Sequence, residues 1–388
     1  MKKILLIVSR IPYPPTSGDK LKSFNLLKIL SKSFDVHLVV ITDESLNKDT
    51  SFILNKYTTK TKVFTKNKYL FYFNATRVLF NYEPLQVGYY YFKDVQKYVD
   101  IHLCDSSFVI STLVRTTKYL ENYNGLKYFD VVDSIAISYK NSLKNVNSLF
   151  WRMIYKFEIK RLFKYEKKCI SEFSNSFFVN KFECDYWSKY GKTTWIPNGV
   201  NYDLLSYDKC NNQYLRDIVF FGKMNYQPNI DAVLWFVNNV LESINKNIKL
   251  IIVGSFPAPS ISALADQYEN IQVTGFLDDP YEIIYSSLLV VSPMQTGGGM
   301  QNKVLESMAL GKLNIVSKLA ADPIIGANNG EHFLVLDHPN EIARVINDAY
   351  LGEYKYQDIC NNAKELISNK YTWGLYEDKL LANVINIE

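Results

Sequence analysis

The chain of 388 residues has little of what marks membrane, metal-bound or disulfide-stapled proteins. No run approaches the ~18 consecutive apolar residues that a bilayer span needs. The five cysteines (Cys104, Cys169, Cys184, Cys210, Cys360) are scattered and odd in number. None forms a C-x-x-C pair, so free thiols in a reducing compartment are expected and a zinc site is not. Only four histidines are present (His37, His102, His332, His338), which leaves few imidazoles for acid–base work. His37 falls on an expected strand and reads as structural. The first β-α turn lacks G-x-G-x-x-G, so the dinucleotide fingerprint is missing. Gly191-Lys192-Thr193 ends like a P-loop, but Tyr186 stands where its first glycine belongs. Residues 1–9 hold an apolar core of residues 4–8 only, too short for a signal peptide and suited to a first β-strand. The expectation is a cytoplasmic protein.

Hydrophobic residues make up 47% of the chain, enough for two well-filled domains at this length. Aromatics reach 15%, with 29 Tyr and 23 Phe, in a chain also heavy in Asn and Lys, which reads as compositional bias. The net charge of +5 is local: residues 148–168 carry seven Lys or Arg and two Glu, and the remainder balances. Arg152, Lys156, Lys160 and Lys164 recur every four residues along one helical face, beside an apolar face of Trp151, Tyr155, Ile159 and Leu162. Two readings stay open: a surface helix packed by its apolar face, or a helix resting on anionic lipid at the inner face of the cytoplasmic membrane. No nucleic-acid motif accompanies the patch, so no nucleic-acid partner is expected.

The stretch that organises the chain is residues 287–317. Residues 288–291 form a short apolar run, as in a strand buried on both faces. Gly297, Gly298 and Gly299 follow, then Val304, Leu305, Met308 and Ala309 at helical spacing, with Gly311 as a stop. Glycines before a helix let backbone approach a ligand, and the free N–H groups of the first turn favour an anion. Lys303 adds a charge there, and Glu306 lies one turn on. A nucleotide diphosphate suits this pattern, although a glycine loop alone is a weak motif and a plain tight turn would look the same.

Further β-α alternation surrounds this stretch. Strands are expected at 3–8, 36–41, 108–113, 127–132, 177–180, 217–221, 249–253, 271–274 and 332–336. Helices are expected at 19–33, 229–244, 339–347 and 373–385. The aromatic-rich residues 66–98 read as two helices joined by a loop at Glu83-Pro84. Asp278-Asp279 reads as a helix start before Pro280. Pro197-Asn198-Gly199 is a turn signal near mid-chain and sets a domain boundary. Strands ending in Gly222, Gly254 and Gly275 should bring their loops to one carboxyl edge, where open α/β sheets bind ligands.

These segments together resemble the family-4 type of glycosyltransferase. The matching pieces are residues 196–200 (IPNGV), 220–224 (FFGKM) with Pro228-Asn229, 273–276 (VTGF), 297–311 and 371–373 (YTW). Residues 83–87 (EPLQV) resemble a segment common among bacterial transferases of capsule, exopolysaccharide and O-antigen synthesis. The resemblance implies an α/β protein of the GT-B fold, two Rossmann-like domains facing each other across a cleft. Residues 1–197 would bind the acceptor and 198–370 the nucleotide sugar, with 371–388 a helix returning to the first domain.

By the same resemblance, the enzyme moves a sugar from a UDP- or GDP-linked donor to a hydroxyl of a glycan or lipid-linked acceptor, retaining configuration. Gly222, Lys223, Lys303 and backbone at Gly298, Gly299 and Met300 would face the donor diphosphate. Glu306 would bind ribose and Phe276 the base. Ser17, Gly18 and Asp19 would lie at the cleft, and Asp133 is a candidate acid or base. The family often places a second glutamate eight residues before Glu306, where this chain has Gly298. Sugar recognition then falls to Gln295, Thr296 and backbone near Gly297. No D-x-D is present, so no metal and no cofactor beyond the donor are expected. A non-catalytic sugar-nucleotide or partner-binding protein and a sugar-nucleotide epimerase are the rivals. Lys223, Lys303 and Glu306 weigh against the first, and the shortage of acid–base groups against the second.

Overall fold

The computed structural model describes residues 1–78, 82–143, 148–297 and 299–385. The chain divides into two compact units, Met1–Pro197 with Leu380–Glu388, and Asn198–Lys379.

In the first unit seven strands form one sheet: β1 (Lys2–Val8), β2 (Phe34–Thr42), β3 (Lys60–Thr65), β4 (Phe108–Thr112), β5 (Lys127–Val132), β6 (Asn175–Phe178) and β7 (Thr193–Trp195). Their order is β3-β2-β1-β4-β5-β6-β7, with every neighbouring pair parallel. Helices cover the sheet, so its central strands are buried on both faces. Ile4, Leu5, Leu6 and Ile7 accordingly have no exposed surface, and a continuous apolar run replaces alternation.

The second unit repeats the plan with β8 (Ile218–Phe221), β9 (Leu250–Val253), β10 (Ile271–Gly275), β11 (Leu289–Ser292), β12 (Asn314–Val316) and β13 (Leu334–Val335). The order is β10-β9-β8-β11-β12-β13, again all parallel. Each sheet builds outward from its first strand and then returns to that strand's other side. This doubly wound order leaves a crevice at the carboxyl edge, between β1 and β4 in one unit and between β8 and β11 in the other.

Residues 66–98 differ from the expectation of two helices. Three are present, Lys68–Arg77, Leu85–Tyr89 and Lys93–Leu103. Strand β3 was not anticipated. It lies at the sheet edge and begins Lys-Thr-Lys, with Lys60, Lys62 and Thr65 exposed to water. Helix Gln357–Lys370 was also unforeseen. Helix Tyr281–Ser286 follows Pro280, where the two aspartates marked a start.

The helix at residues 149–172 packs by only part of the apolar face read from the sequence: Leu162 is buried, Tyr155 and Ile159 are half-buried, and Trp151 is exposed. Leu162, Glu166, Cys169 and Ile170 are buried in the core of the first unit. Glu166 accepts from Ser134 Oγ and from the Ala136 amide (3.0 Å), and Glu183 accepts from the Ser134 amide (2.7 Å). Two carboxyls therefore sit on the amino end of helix Ile135–Ser142, where the helix dipole favours anions. Burial pushes Glu166 up to about 7, and these hydrogen bonds pull the other way.

This unit also holds a buried ion pair. Lys22, from helix Gly18–Leu30, meets Asp130 of β5, and both side chains are shielded from solvent. Asp130 Oδ2 has no hydrogen-bond partner among the described residues. Burial raises the Asp130 carboxyl, and Lys22 opposes that shift. Removing one partner leaves the other charge stranded. We expect Lys22→Met to lower stability by roughly 3–5 kcal/mol in urea denaturation, and Lys22→Met with Asp130→Leu to recover most of it.

Candidate nucleotide-sugar site

Strand β8 runs into Gly222 and β9 into Gly254, both in conformations that side chains rarely adopt (φ 145° and 155°). A Cβ on Gly254 would lie 1.7 Å from the Gly222 carbonyl oxygen. The two strand ends touch backbone to backbone. The Gly222 amide donates to Val253 O (3.0 Å), the Met224 amide to Ser255 O (3.0 Å) and the Ala258 amide to Met224 O (3.1 Å). Lys223 is thereby presented at the carboxyl edge with its backbone held on both sides. Its Nζ stands 5.9 Å from the ring centroid of Phe256, an exposed residue at φ 55°.

Helix Gln227–Asn239 starts just after this turn. Its Asn229 is buried and serves two partners. Asn229 Nδ2 donates to Lys223 O (2.9 Å), and Asn229 Oδ1 accepts from Lys303 Nζ (2.6 Å). One amide therefore ties the β8 turn to the helix that follows the glycine loop. Asp231, one half-turn on, accepts from Gln227 Nε2 (2.7 Å) and from Thr296 Oγ1 (3.1 Å). It joins the same helix to the glycine loop itself. Gly297 and Gly299 adopt φ of 102° and 79°, which allows that loop its tight path. Gly298 lies outside the described residues.

Lys303, on helix Asn302–Ala309, is the lysine expected from sequence to add a charge beside the glycine loop, and it does so from a buried position. It is only 8% exposed, lies 4.3 Å from the Phe220 ring centroid, and also points Nζ at Met294 Sδ (3.3 Å). Burial lowers its pKa to about 7, while Glu306 acts in the opposite direction. Glu306 is itself partly exposed as a residue, yet burial of the carboxyl raises it to about 7, against the pull of a hydrogen bond from Tyr281 and of Lys303. The Tyr281 hydroxyl is raised in turn, first by the Glu306 charge and then by burial. Lys303 and Glu306 therefore both titrate near neutrality.

The structure brings Gly222, Lys223, Thr296, Gly297, Lys303 and Glu306 to the crevice between β8 and β11. Gly299 and Met300 lie on the same loop. Gln295 is exposed, and its amide donates to Pro293 O (3.0 Å). Phe276 follows Gly275 at the end of β10 and is 70% exposed. Asp231, Tyr281 and Phe256 were given no role from the sequence, and Asn229 entered only as part of the Pro228-Asn229 match to the family. Pro228-Asn229 marked the helix start, but nothing local showed that Asn229 would bond a lysine 74 positions away.

The first unit has its own polar cluster at the carboxyl edge. Asp133 follows β5 directly after Val132, which holds φ 62°. Burial raises Asp133 to about 6; Lys22 opposes the shift, and Asp19 and Asp130 add to it. Asp19 sits one residue after Gly18 in the first turn of its helix, accepting from Ser17 Oγ (2.6 Å) and Arg10 (3.1 Å). Burial alone would raise Asp19, but Arg10 and Ser17 hold it below its ordinary value. His37 stands on β2 against Tyr98 (Nε2 to hydroxyl 3.0 Å), and burial lowers its pKa to about 4.

Residues 216–351 match the family model described as glycosyl transferases group 1. An uncharacterized 44.6 kDa protein in the cps region of Klebsiella pneumoniae is 26% identical, the match covering 96% of this chain and 97% of that one. Among solved structures, Anabaena Alr3699/HepE in complex with UDP superposes with a TM-score of 0.67 at 15% identity, over 100% of both chains. TarM of S. aureus gives a TM-score of 0.69 at 14% identity, over 99% of this chain and 98% of its own. The family match lies wholly within the second unit. The whole chain has the GT-B fold, and it resembles GT-B glycosyltransferases along its length.

The contact between Gly222 and Gly254 gives a direct test of the frame. Gly254→Ala is expected to cost roughly 1–3 kcal/mol of stability in urea denaturation, because the added methyl must push the β8 turn aside. Gly275→Ala, where a Cβ would meet open space, pays only the strain of its φ of 71° and should cost less.

Proposed function

We propose that the protein transfers a sugar from a nucleoside-diphosphate sugar, UDP- or GDP-linked, to a hydroxyl of a glycan or lipid-linked acceptor. The reaction retains configuration at the sugar carbon and needs no metal. The setting is capsule, exopolysaccharide or O-antigen synthesis, supported by the relative from a cps region. The observation that carries this reading is the crevice between β8 and β11. There Asn229 joins the Lys223 turn to Lys303, beside a glycine loop and one helical turn from Glu306. Two of the similar structures hold UDP or UDP-glucose, which supports a nucleotide-sugar donor here.

The chemistry follows from charge. As the bond from the sugar carbon to the diphosphate oxygen breaks, negative charge grows on the leaving group. Positioned N–H groups and ammonium groups stabilise that charge most in the transition state. The loop at Gly297–Gly299 and Met300 supplies N–H groups, and Lys223 and Lys303 supply cations. A buried amine with a pKa near 7 takes up a proton when a phosphate arrives, so Lys303 becomes charged when a partner is there to meet the charge. Glu306, as carboxylate, accepts from the ribose hydroxyls, and Phe276 with Phe256 offers aromatic surface for the base. Gln295 and Thr296 meet the sugar in place of the glutamate that Gly298 replaces. Asp133 acts on the acceptor as acid or base.

The deciding experiment is calorimetric titration with UDP, GDP, TDP and CDP, each in magnesium and in EDTA. Tight binding of UDP or GDP, equal in both media, is the expected result. A well-folded protein that binds none of the four overturns the reading. Lys303→Ala should weaken nucleotide binding about ten-fold or more, some 1.4 kcal/mol.

The pH dependence has a definite sign. Below pH 7 Glu306 takes up a proton and loses its charged hydrogen bonds; above pH 7 Lys303 loses its proton and its charge. Nucleotide affinity should peak near pH 7. Lys303→Met should remove the fall on the alkaline side, and Glu306→Gln the fall on the acid side.

A further inference from the structure

We propose that the amino edge of the second sheet carries a binding site for an acidic saccharide, separate from the crevice between β8 and β11. The site stands on the second unit alone and does not depend on the reading of its carboxyl edge.

Strands β10, β9 and β8 lie side by side at one end of the sheet order. The segments that lead into them leave a cleft of about 330 Å³. That is room for a small ligand. Strands β8 and β9 are each four residues long, so at ~3.3 Å per residue the cleft lies roughly 13 Å from the Gly222 and Gly254 turns.

The floor of the cleft is fixed. Asp217, just ahead of β8, is 7% exposed. Its Oδ1 accepts from the Lys249 amide (3.1 Å). Its own amide donates to Tyr214 O (3.0 Å), and its carbonyl accepts from the Leu288 amide (2.8 Å). The chain leading into β8, β9 and β11 is thereby held in one arrangement.

The walls are uncommitted. Asn212, Gln213, Asn247 and Gln272 line the cleft from three separate segments. Among the described residues, none of these four carboxamides has a hydrogen-bond partner. A carboxamide donates and accepts at once, which is what a series of sugar hydroxyls requires. Leu215 adds an exposed apolar surface beside them.

Charge selects the class of ligand. Arg216 and Lys249 are the cations of the lining, and both are exposed. Arg216 lies 5.5 Å from the Tyr350 ring centroid, a contact that limits the freedom of its guanidinium. The single acid of the lining, Asp217, is already engaged with the Lys249 amide. A guanidinium and an ammonium beside free carboxamides suit a carboxylate carried on a sugar ring. A diphosphate suits the cleft less. It calls for the close backbone approach that glycines allow at the other edge, and no glycine lines this one.

The test is calorimetric titration of the full chain with trigalacturonic acid. Maltotriose serves as the uncharged saccharide, and inorganic phosphate as an anion without a sugar. Wild type should bind trigalacturonate about ten-fold or more tightly than either. Arg216→Gln with Lys249→Gln should weaken that binding about ten-fold or more. Asn247→Ala with Gln272→Ala should weaken it about five-fold or more. Lys318→Gln with Lys355→Gln, an equal change in net charge elsewhere on the second unit, should leave it within about two-fold. No binding of trigalacturonate, phosphate binding of equal strength, or equal loss in the control overturns the proposal. Titration of the same proteins with UDP keeps the two sites apart. A variant that loses UDP and trigalacturonate together, or competition between the two ligands in wild type, assigns the saccharide to the crevice and also overturns it. Trigalacturonate binding by a protein that binds no UDP supports this site and removes the donor reading.

Discussion

A lysine amine held inside the second unit sets most of what surrounds it. Water solvates an ammonium far better than protein does, so Lys303 is tolerable there only with its charge weakened and its hydrogens directed. Asn229 Oδ1 takes one hydrogen, the Phe220 ring lies beneath the amine, and Glu306 supplies the nearby counter-charge. Asn229 can present its oxygen to Lys303 only because its nitrogen is fixed on the Lys223 carbonyl. That carbonyl is fixed in turn by a turn stapled to β9. The local order of the β8 turn, the helix at Gln227 and the glycine loop thus meets at one buried side chain.

The two units share a strand order but put it to different uses. At the β8–β11 crevice two lysines and the backbone amides of the glycine loop sit with Asn229 and two acids, Asp231 and Glu306. At the corresponding edge of the first unit, acids outnumber the lysine beside them: Asp19, Asp130 and Asp133 cluster around Lys22. The fold supplies an edge where loops gather, and the chemistry of that edge is set residue by residue.

Much of the frame was legible in the sequence because it rests on local rules. Apolar runs buried on two faces gave β1, β8, β9 and β11, and strand-ending glycines gave the carboxyl edge. What escaped was of two kinds. Strand β3 begins Lys-Thr-Lys at a sheet edge, so its hydrophobic signal is weak. The bonds from Asn229 to Lys303 and from Thr296 to Asp231 join residues 74 and 65 positions apart, and no spacing rule predicts such a pair. The basic stripe at residues 148–168 was correctly seen as a helix. Its charges could not be sorted from sequence, because their partners Glu121, Tyr82 and Tyr190 come from elsewhere in the chain.

The backbone contact between Gly222 and Gly254 also limits how proteins of this shape can diverge. No side chain fits at Gly254 unless the β8 turn moves, and a moved turn would carry the Lys223 carbonyl away from Asn229. Gly254 is therefore fixed for as long as the β8 turn keeps its place. Phe256, Phe276 and Gln295 stand in solvent around the same opening and can be exchanged without disturbing the frame. The opening therefore has a fixed backbone frame and a replaceable rim.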